Sequence, residues 1–442
     1  MKIEPVHKRV YHIFLSHSSL DKRTVVDPLY KWFDQVARIP VWIDHNSLSP
    51  GSSLSRSIEE SISICRSMVL VLSHSSIHSD WVKNESELAQ QHQKEYKDFK
   101  IIPIVIDDCD IPDFLQNLLW IDAREWTSAR KNEALELTFY KQLLRALYPF
   151  DPAVEYRNSI DIFVSRTWRS SESQFADKVC QNFMRAGFRL IGDSKDHPTF
   201  TDSNNRIRNI ISSCGGLLAI LPFREKEEEH SYTSKYCLRE LDFAQEHNLP
   251  CIVIAEPGVE LTLEHQSSFT HFQQIDNVEK IADESLFIKS IEEMKESWKK
   301  PKHEHYVFFA TNFDNHERNQ IARQLIQQVT KLPCVIGEDI DSRSLSIQEA
   351  IADLVRHAYL VIADISQDNI NTLIEAGIAR GAKVECRMVA RATPENPRKR
   401  PPFMFRDKQV EYYRSDAELL GRIHRLAYPF RRRILNYEIQ RM

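Results

Sequence analysis

With 442 residues, 42% of them hydrophobic and 27% charged, the chain has the make-up of a globular protein of about three domains at roughly 150 residues each. No apolar run reaches the roughly 18 to 20 residues that cross a bilayer, and the opening MKIEPVHKRV has no signal-like apolar segment, so a cytoplasmic protein without membrane contact is expected. The net charge of −5 gives no bulk case for nucleic acid; the acidic run at 224–230 and the basic stretches NPRKRPP and FRRRILNYEIQRM read as solvated segments.

The strand YHIFLSHSS from Tyr11 opens a series of elements that occurs three times. SIDIFVSRTW from Ser159 and HYVFFATNF from His305 open the second and third. In each unit an amphipathic helix then runs into a short apolar strand: Leu54, Ile58 and Ile62 before MVLVL, Ile207, Ile210 and Ile211 before LLAIL, Ile347, Ile351 and Val355 before YLVIA. Spacings of three and four residues mark the helices, and continuous apolar runs suit parallel strands covered on both faces. Another helix follows with a glutamate near its start, at Glu85, Glu240 and Glu375, and then a further strand. Alternation of this kind predicts an α/β protein of three consecutive doubly wound, flavodoxin-like parallel-sheet units. In such sheets the cleft lies beyond the carboxyl ends of the strands, where all three glutamates fall. The boundaries expected are 1–127, a helix and linker at 128–158, a second unit at 159–281, a helix and linker at 282–304, and a third unit at 305–442. The first and third units close alike, on RALYPF and RLAYPF, and CRMVAR at 386–391 reads as an edge strand because arginine alternates with apolar residues.

Ten glycines form no phosphate-cradling loop or dinucleotide fingerprint, and eight dispersed cysteines lack metal-ligand spacing; reduced, buried thiols and no metal are expected. The candidate chemistry lies in SDWVKNE, where Trp81 and Glu85 stand at i and i+4 and share a helix face. A carboxylate beside an aromatic wall suits cleavage of an N-glycosidic bond, whose transition state carries positive charge on the sugar.

The order FLSHSSLDK, WIDHNSLSPGSS, SIEESISICRSMVLVLS and SDWVKNE resembles a bacterial Toll/interleukin receptor (TIR) domain over roughly residues 10–126. The resemblance implies hydrolysis or rearrangement of NAD at its nicotinamide–ribose bond, with NAD as substrate and no cofactor. It assigns Glu85 as the catalytic carboxylate and Trp81, Phe14, Ser16, Ser52 and Ser53 to substrate. It also places Asp44, Pro50 and Gly51 in a loop through which copies self-associate into an active homo-oligomer. Members with appended sensor domains often serve antiviral (anti-phage) defence, and a nucleotide or protein trigger is the further partner expected.

The second unit looks like a degenerate TIR-like domain with Tyr236 in place of tryptophan and no Pro-Gly loop. ADISQDNINTLIEAGIARGAK at 363–383 resembles the nucleoside deoxyribosyltransferase superfamily through Asp364, Asn369, Asn371, Glu375 and Gly377, which implies ligand sensing or assembly by the third unit. Two other readings remain open: a non-catalytic TIR adaptor, and a nucleoside or nucleotide N-glycosidase working through Glu375.

Overall fold

A computed structural model describes residues 11–43, 54–95, 99–128, 132–148, 160–167, 169, 171–192, 203–224, 232–261, 265, 270–275, 306–339, 347–366, 369–394, 401–431 and 433–434. Three sheets account for the strands. The first contains β1 (Tyr11–Ser16), β2 (Val41–Trp42), β3 (Cys65–Leu72), β4 (Lys100–Val105) and β5 (Ile121–Asp122), in the order β2-β1-β3-β4-β5. The second contains β6 (Ile160–Ser165), β7 (Phe188–Gly192), β8 (Gly216–Leu221), β9 (Cys251–Ala255) and β10 (Thr270–Gln274). The third contains β11 (Val307–Ala310), β12 (Cys334–Ile336), β13 (Leu360–Asp364), β14 (Cys386–Arg391) and β15 (Val410–Tyr413), in the order β12-β11-β13-β14-β15.

Each unit therefore repeats the flavodoxin-like 2-1-3-4-5 order with parallel neighbours. One strand departs from the repeat: β16 (Arg433–Ile434), from the end of the chain, pairs antiparallel with β7 at the edge of the second sheet.

The helices, in chain order, are α1 (Asp27–Lys31), α2 (Leu54–Ser63), α3 (His74–Ile77), α4 (Asp80–Glu95), α5 (Arg124–Ser128), α6 (Glu133–Leu147), α7 (Ser173–Arg185), α8 (Ser203–Ser212), α9 (Lys235–Glu246), α10 (His316–Thr330), α11 (Ile347–His357), α12 (Ile370–Gly381) and α13 (Asp416–Ala427). Wide π-type turns at Lys22–Val26 and Trp32–Ala37 extend α1 on both sides.

The central strands show why continuous apolar runs were needed. In β3, Met68, Leu70 and Leu72 enter one core while Val69 and Val71 enter another; Leu360 and Ile362 of β13 likewise part from Val361 and Ala363. A strand buried on both faces has no polar side. All eight cysteines are buried, no group of described residues could hold a metal ion, and no helix among them is long and apolar enough to cross a membrane.

The first and third units share one core. Trp32, Phe33 and Val36 of the first π-extended helix, Phe139, Tyr140 and Leu143 of α6, and Leu419, Leu420 and Ile423 of α13 belong to a single buried cluster. Segment 128–158, expected as helix and linker, thus contains a helix that packs between two units. The repeated closing motifs meet there: the rings of Tyr148 and Tyr428 lie 6.0 Å apart, and His424 bonds the Tyr148 hydroxyl at 2.8 Å and the Ala37 carbonyl at 2.9 Å.

The expectation that CRMVAR is an edge strand is overturned. β14 lies between β13 and β15. Its arginines are accommodated by partners: Arg387 pairs with Glu385 at 2.8 Å and lies over the Phe430 ring, and Arg391 reaches Glu133 of α6 at 2.9 Å. Segments 225–231 and 276–305, including the second expected linker, lie outside the described residues.

Candidate functional site

The carboxyl ends of β1 and β3 hold a buried polar cluster beneath α4. The helix begins with Asp80 in its first turn, where a carboxylate complements the helix dipole. Its inward face is formed by Val82, Glu85, Ser86 and Ala89, so Glu85 occupies a core-facing position. Only 1% of Glu85 is exposed. A buried carboxyl requires hydrogen-bond partners, and Ser16, at the last position of β1, donates its Oγ–H to Glu85 Oε2 at 2.5 Å.

A second buried acid, Asp21, has its own hydroxyl partner. Ser73 caps α3 through a reciprocal capping box with Ser76, and its hydroxyl donates to Asp21 Oδ2 at 2.6 Å. Burial pushes the Asp21 carboxyl above its usual range, and the Ser73 bond opposes that rise. Sequence reasoning missed Asp21 and Ser73. Their only local signals were capping residues after a strand, and the contact spans 52 positions.

Trp81 lies one turn before Glu85, packs partly buried against the core, and holds its Nε1–H in a buried position without a hydrogen-bond partner among the described residues. Phe14 is fully buried and stacks on Trp42 at 4.6 Å, with 14° between ring planes. Its ring is therefore core, two positions before the serine that touches Glu85. Asp44, Pro50, Gly51, Ser52 and Ser53 lie outside the described residues. A cavity of about 240 Å³ borders α4 at Val82 and Ser86, next around the helix from Trp81 and Glu85, which do not line it.

The equivalent glutamates differ. Glu240 is half-buried on α9, with Tyr236, 62% exposed, where the first unit has Trp81. Glu375 on α12 is 6% exposed, lines a cavity of about 470 Å³, and has an Oε2 with no partner among the described residues. Burial pushes its carboxyl up to about 7.

Asn369 and Asn371 line the same cavity. Asp364 does not; it is held below by the Tyr413 hydroxyl at 2.9 Å, by Ser366 Oγ at 2.5 Å and by Arg318 at 3.6 Å. Gly377 also misses the cavity, and a Cβ there would meet Met404 at 3.4 Å.

Residues 13–138 match the TIR domain family. The chain is 32% identical over 92 residues to the NAD(+) hydrolase TcpC of Escherichia coli O6:H1 (strain CFT073), covering 21% of this chain and 29% of that protein. It is 32% identical over 111 residues to the 2' cyclic ADP-D-ribose synthase AbTIR of Acinetobacter baumannii (strain 1295743), covering 24% of this chain and 40% of that protein. The chain thus spans well under half the length of both curated relatives. Among solved structures, the TIR domain of the Toll-related receptor TRR-2 from Hydra magnipapillata is similar at 18% identity and a TM-score of 0.26, over 31% of this chain and 98% of that one.

Proposed function

We propose, from the premise that residues 13–138 are a TIR domain, that the chain cleaves NAD at the nicotinamide–ribose bond, with Glu85 as the catalytic carboxylate. The observation that carries this reading is the buried Glu85 carboxylate, fixed by Ser16 at the end of the first strand, inside the residues that match the TIR domain family; the similarity to an NAD(+) hydrolase supports it.

The chemistry asks little of the protein. The C1′–N bond breaks, its electron pair leaves with neutral nicotinamide, and the ribose becomes an oxocarbenium-like cation. A fixed carboxylate beside that cation lowers the barrier electrostatically. Water then attacks C1′ and releases a proton, giving ADP-ribose; attack by a hydroxyl of the same molecule gives a cyclic product instead. Trp81 walls the site and excludes water from the departing base. Self-association through the loop carrying Asp44, Pro50 and Gly51 completes the site, and NAD depletion or a cyclic signal serves antiviral defence, in a cytoplasmic setting.

Nicotinamide release from NAD by the full chain tests this reading. Wild type is expected to release nicotinamide at a rate per chain that rises with protein concentration. Glu85→Gln should reduce release by about a hundredfold or more, the scale of losing one electrostatic group. Release unaffected by Glu85→Gln would sink the assignment, and a well-folded wild type releasing none at any concentration would favour the adaptor reading.

A further inference from the structure

The outer face of α12 in the third unit is apolar and open. Ile370 and Ile374 are 71% and 49% exposed, and Met404, Phe313 and Ile347 beside them are 50%, 53% and 52% exposed. The patch is continuous, because Phe313, Ile347 and Ile374 border one cleft and a Cβ on Gly377 would touch the tip of Met404. A connected apolar patch on a folded surface marks a place where another surface is buried.

Farther along α12 the same face is bare. With 3.6 residues per turn, Ile370, Ile374, Gly377 and Gly381 fall within about 60° of one another around the helix. The fold of the unit gives neither glycine a reason: a Cβ at Gly381 meets nothing within 4 Å, one at Gly377 meets the flexible end of Met404 at 3.4 Å, and neither residue has a positive φ. Glycine inside a helix costs about 1 kcal/mol relative to alanine. What the two glycines supply is close approach by another backbone.

Their spacing identifies that backbone. Ile370 and Gly381 lie equally far from the midpoint between Glu375 and Ala376, and so do Ile374 and Gly377. A second α12 turned end for end about that midpoint therefore sets both isoleucines of each helix over both glycines of the other, the self-complementary match of a two-fold interface. Glu375 and Ala376 are buried in their own unit, so no charge meets its own copy on the axis. The ends match as well: the carboxyl end has exposed Lys383 and Arg380, the latter bonded to Asp407, whereas the amino end shares its cleft with Asp314. Antiparallel apposition lays the basic end over the acidic one and opposes the helix dipoles.

We propose that α12 joins two copies of this chain antiparallel across a two-fold axis, Ile370 and Ile374 of each seated on Gly381 and Gly377 of the other. The apolar side chains of Phe313, Ile347 and Met404 enlarge the contact beyond the helix stripe. It is a surface separate from the first-unit loop and needs no NAD.

Disulfide trapping in the full-length chain tests this register. A mixture of Ile370→Cys and Gly381→Cys chains, mildly oxidised, should yield a crosslinked dimer. Neither chain alone should, because two copies of position 370 would stand about 16 Å apart along the axis, beyond the reach of a disulfide. The eight native cysteines are buried and do not compete. Adding Ile374→Asp to both chains, an exposed change that leaves the core intact, should cut the trapped yield at least about tenfold. No trapping in the mixture, trapping as strong in either chain alone, or trapping that survives Ile374→Asp would overturn the proposal. Each outcome is read without NAD cleavage, so it is independent of the role given to Glu85.

Discussion

Ser16, Ser165 and Ala310 take one structural position, the end of the first strand of each unit, where they pair in register with Leu70, Ala219 and Ala363 of the central strands. In the first unit the hydroxyl at that position donates to Glu85. In the third unit alanine has nothing to donate, and Glu375 keeps an unpartnered oxygen. The Ser16 hydroxyl thus holds Glu85 in place, whereas burial drives the Glu375 carboxyl toward neutrality. Ser16→Ala should cost about 1–3 kcal/mol of stability, the penalty of a buried acceptor losing its donor. It should also slow nicotinamide release in the wild-type background but change little once Glu85 is Gln. A double-mutant cycle reads that coupling, and independent effects would show that Ser16 does not act through Glu85. Glu375 gives a prediction of opposite kind. Its folded-state value of about 7 lies above the ordinary 4.5, so the folded chain holds the proton longer than the unfolded one. Stability is then lost as pH rises from about 4.5 through 7, by about 3 kcal/mol in all. The stability difference between wild type and Glu375→Gln, measured by denaturant at pH 5 and pH 8, should move against wild type at the higher pH, and a pH-independent difference would contradict it.

At the scale of elements, the strands and the three glutamate helices were legible because burial on two faces leaves a strong local pattern. Met68 to Leu72 and Leu360 to Asp364 are read directly as central strands. What the sequence could not reveal depends on partners far along the chain. The arginines of β14 suggest solvent on one face, yet that face turns toward the first unit, where Glu133 waits 258 positions away. The Ser73–Asp21 bond and the burial of Phe14 are hidden for the same reason, since neither has a periodic signature. Trp81 and Glu85 were found because their spacing of four falls on one helix face, whereas Gly377, placed by motif, turned out to pack toward Met404.

At the scale of the whole molecule, the first and third units are coupled mechanically by their shared core. Trp32 stacks on Tyr140 at 4.1 Å and donates its indole N–H to the Ala417 carbonyl at 3.3 Å, joining the first unit's helices to α13. Gly421 makes that approach possible: a Cβ there would lie 2.7 Å from Val36 and 3.2 Å from Trp32. Val36 is branched at Cβ and closely packed, so it has few rotamers with which to yield. Gly421→Leu should therefore push the units apart, at a cost of about 1–3 kcal/mol or more from overpacking, despite leucine's better helix propensity. Because the core is common, unfolding of wild type should join the first and third units in one calorimetric transition, and the variant should split it. Gly381→Ala supplies the control, since a Cβ there meets nothing within 4 Å and should be neutral or slightly stabilising. A Gly421→Leu profile that superimposes on wild type would mean that the two units do not stabilise each other through this core.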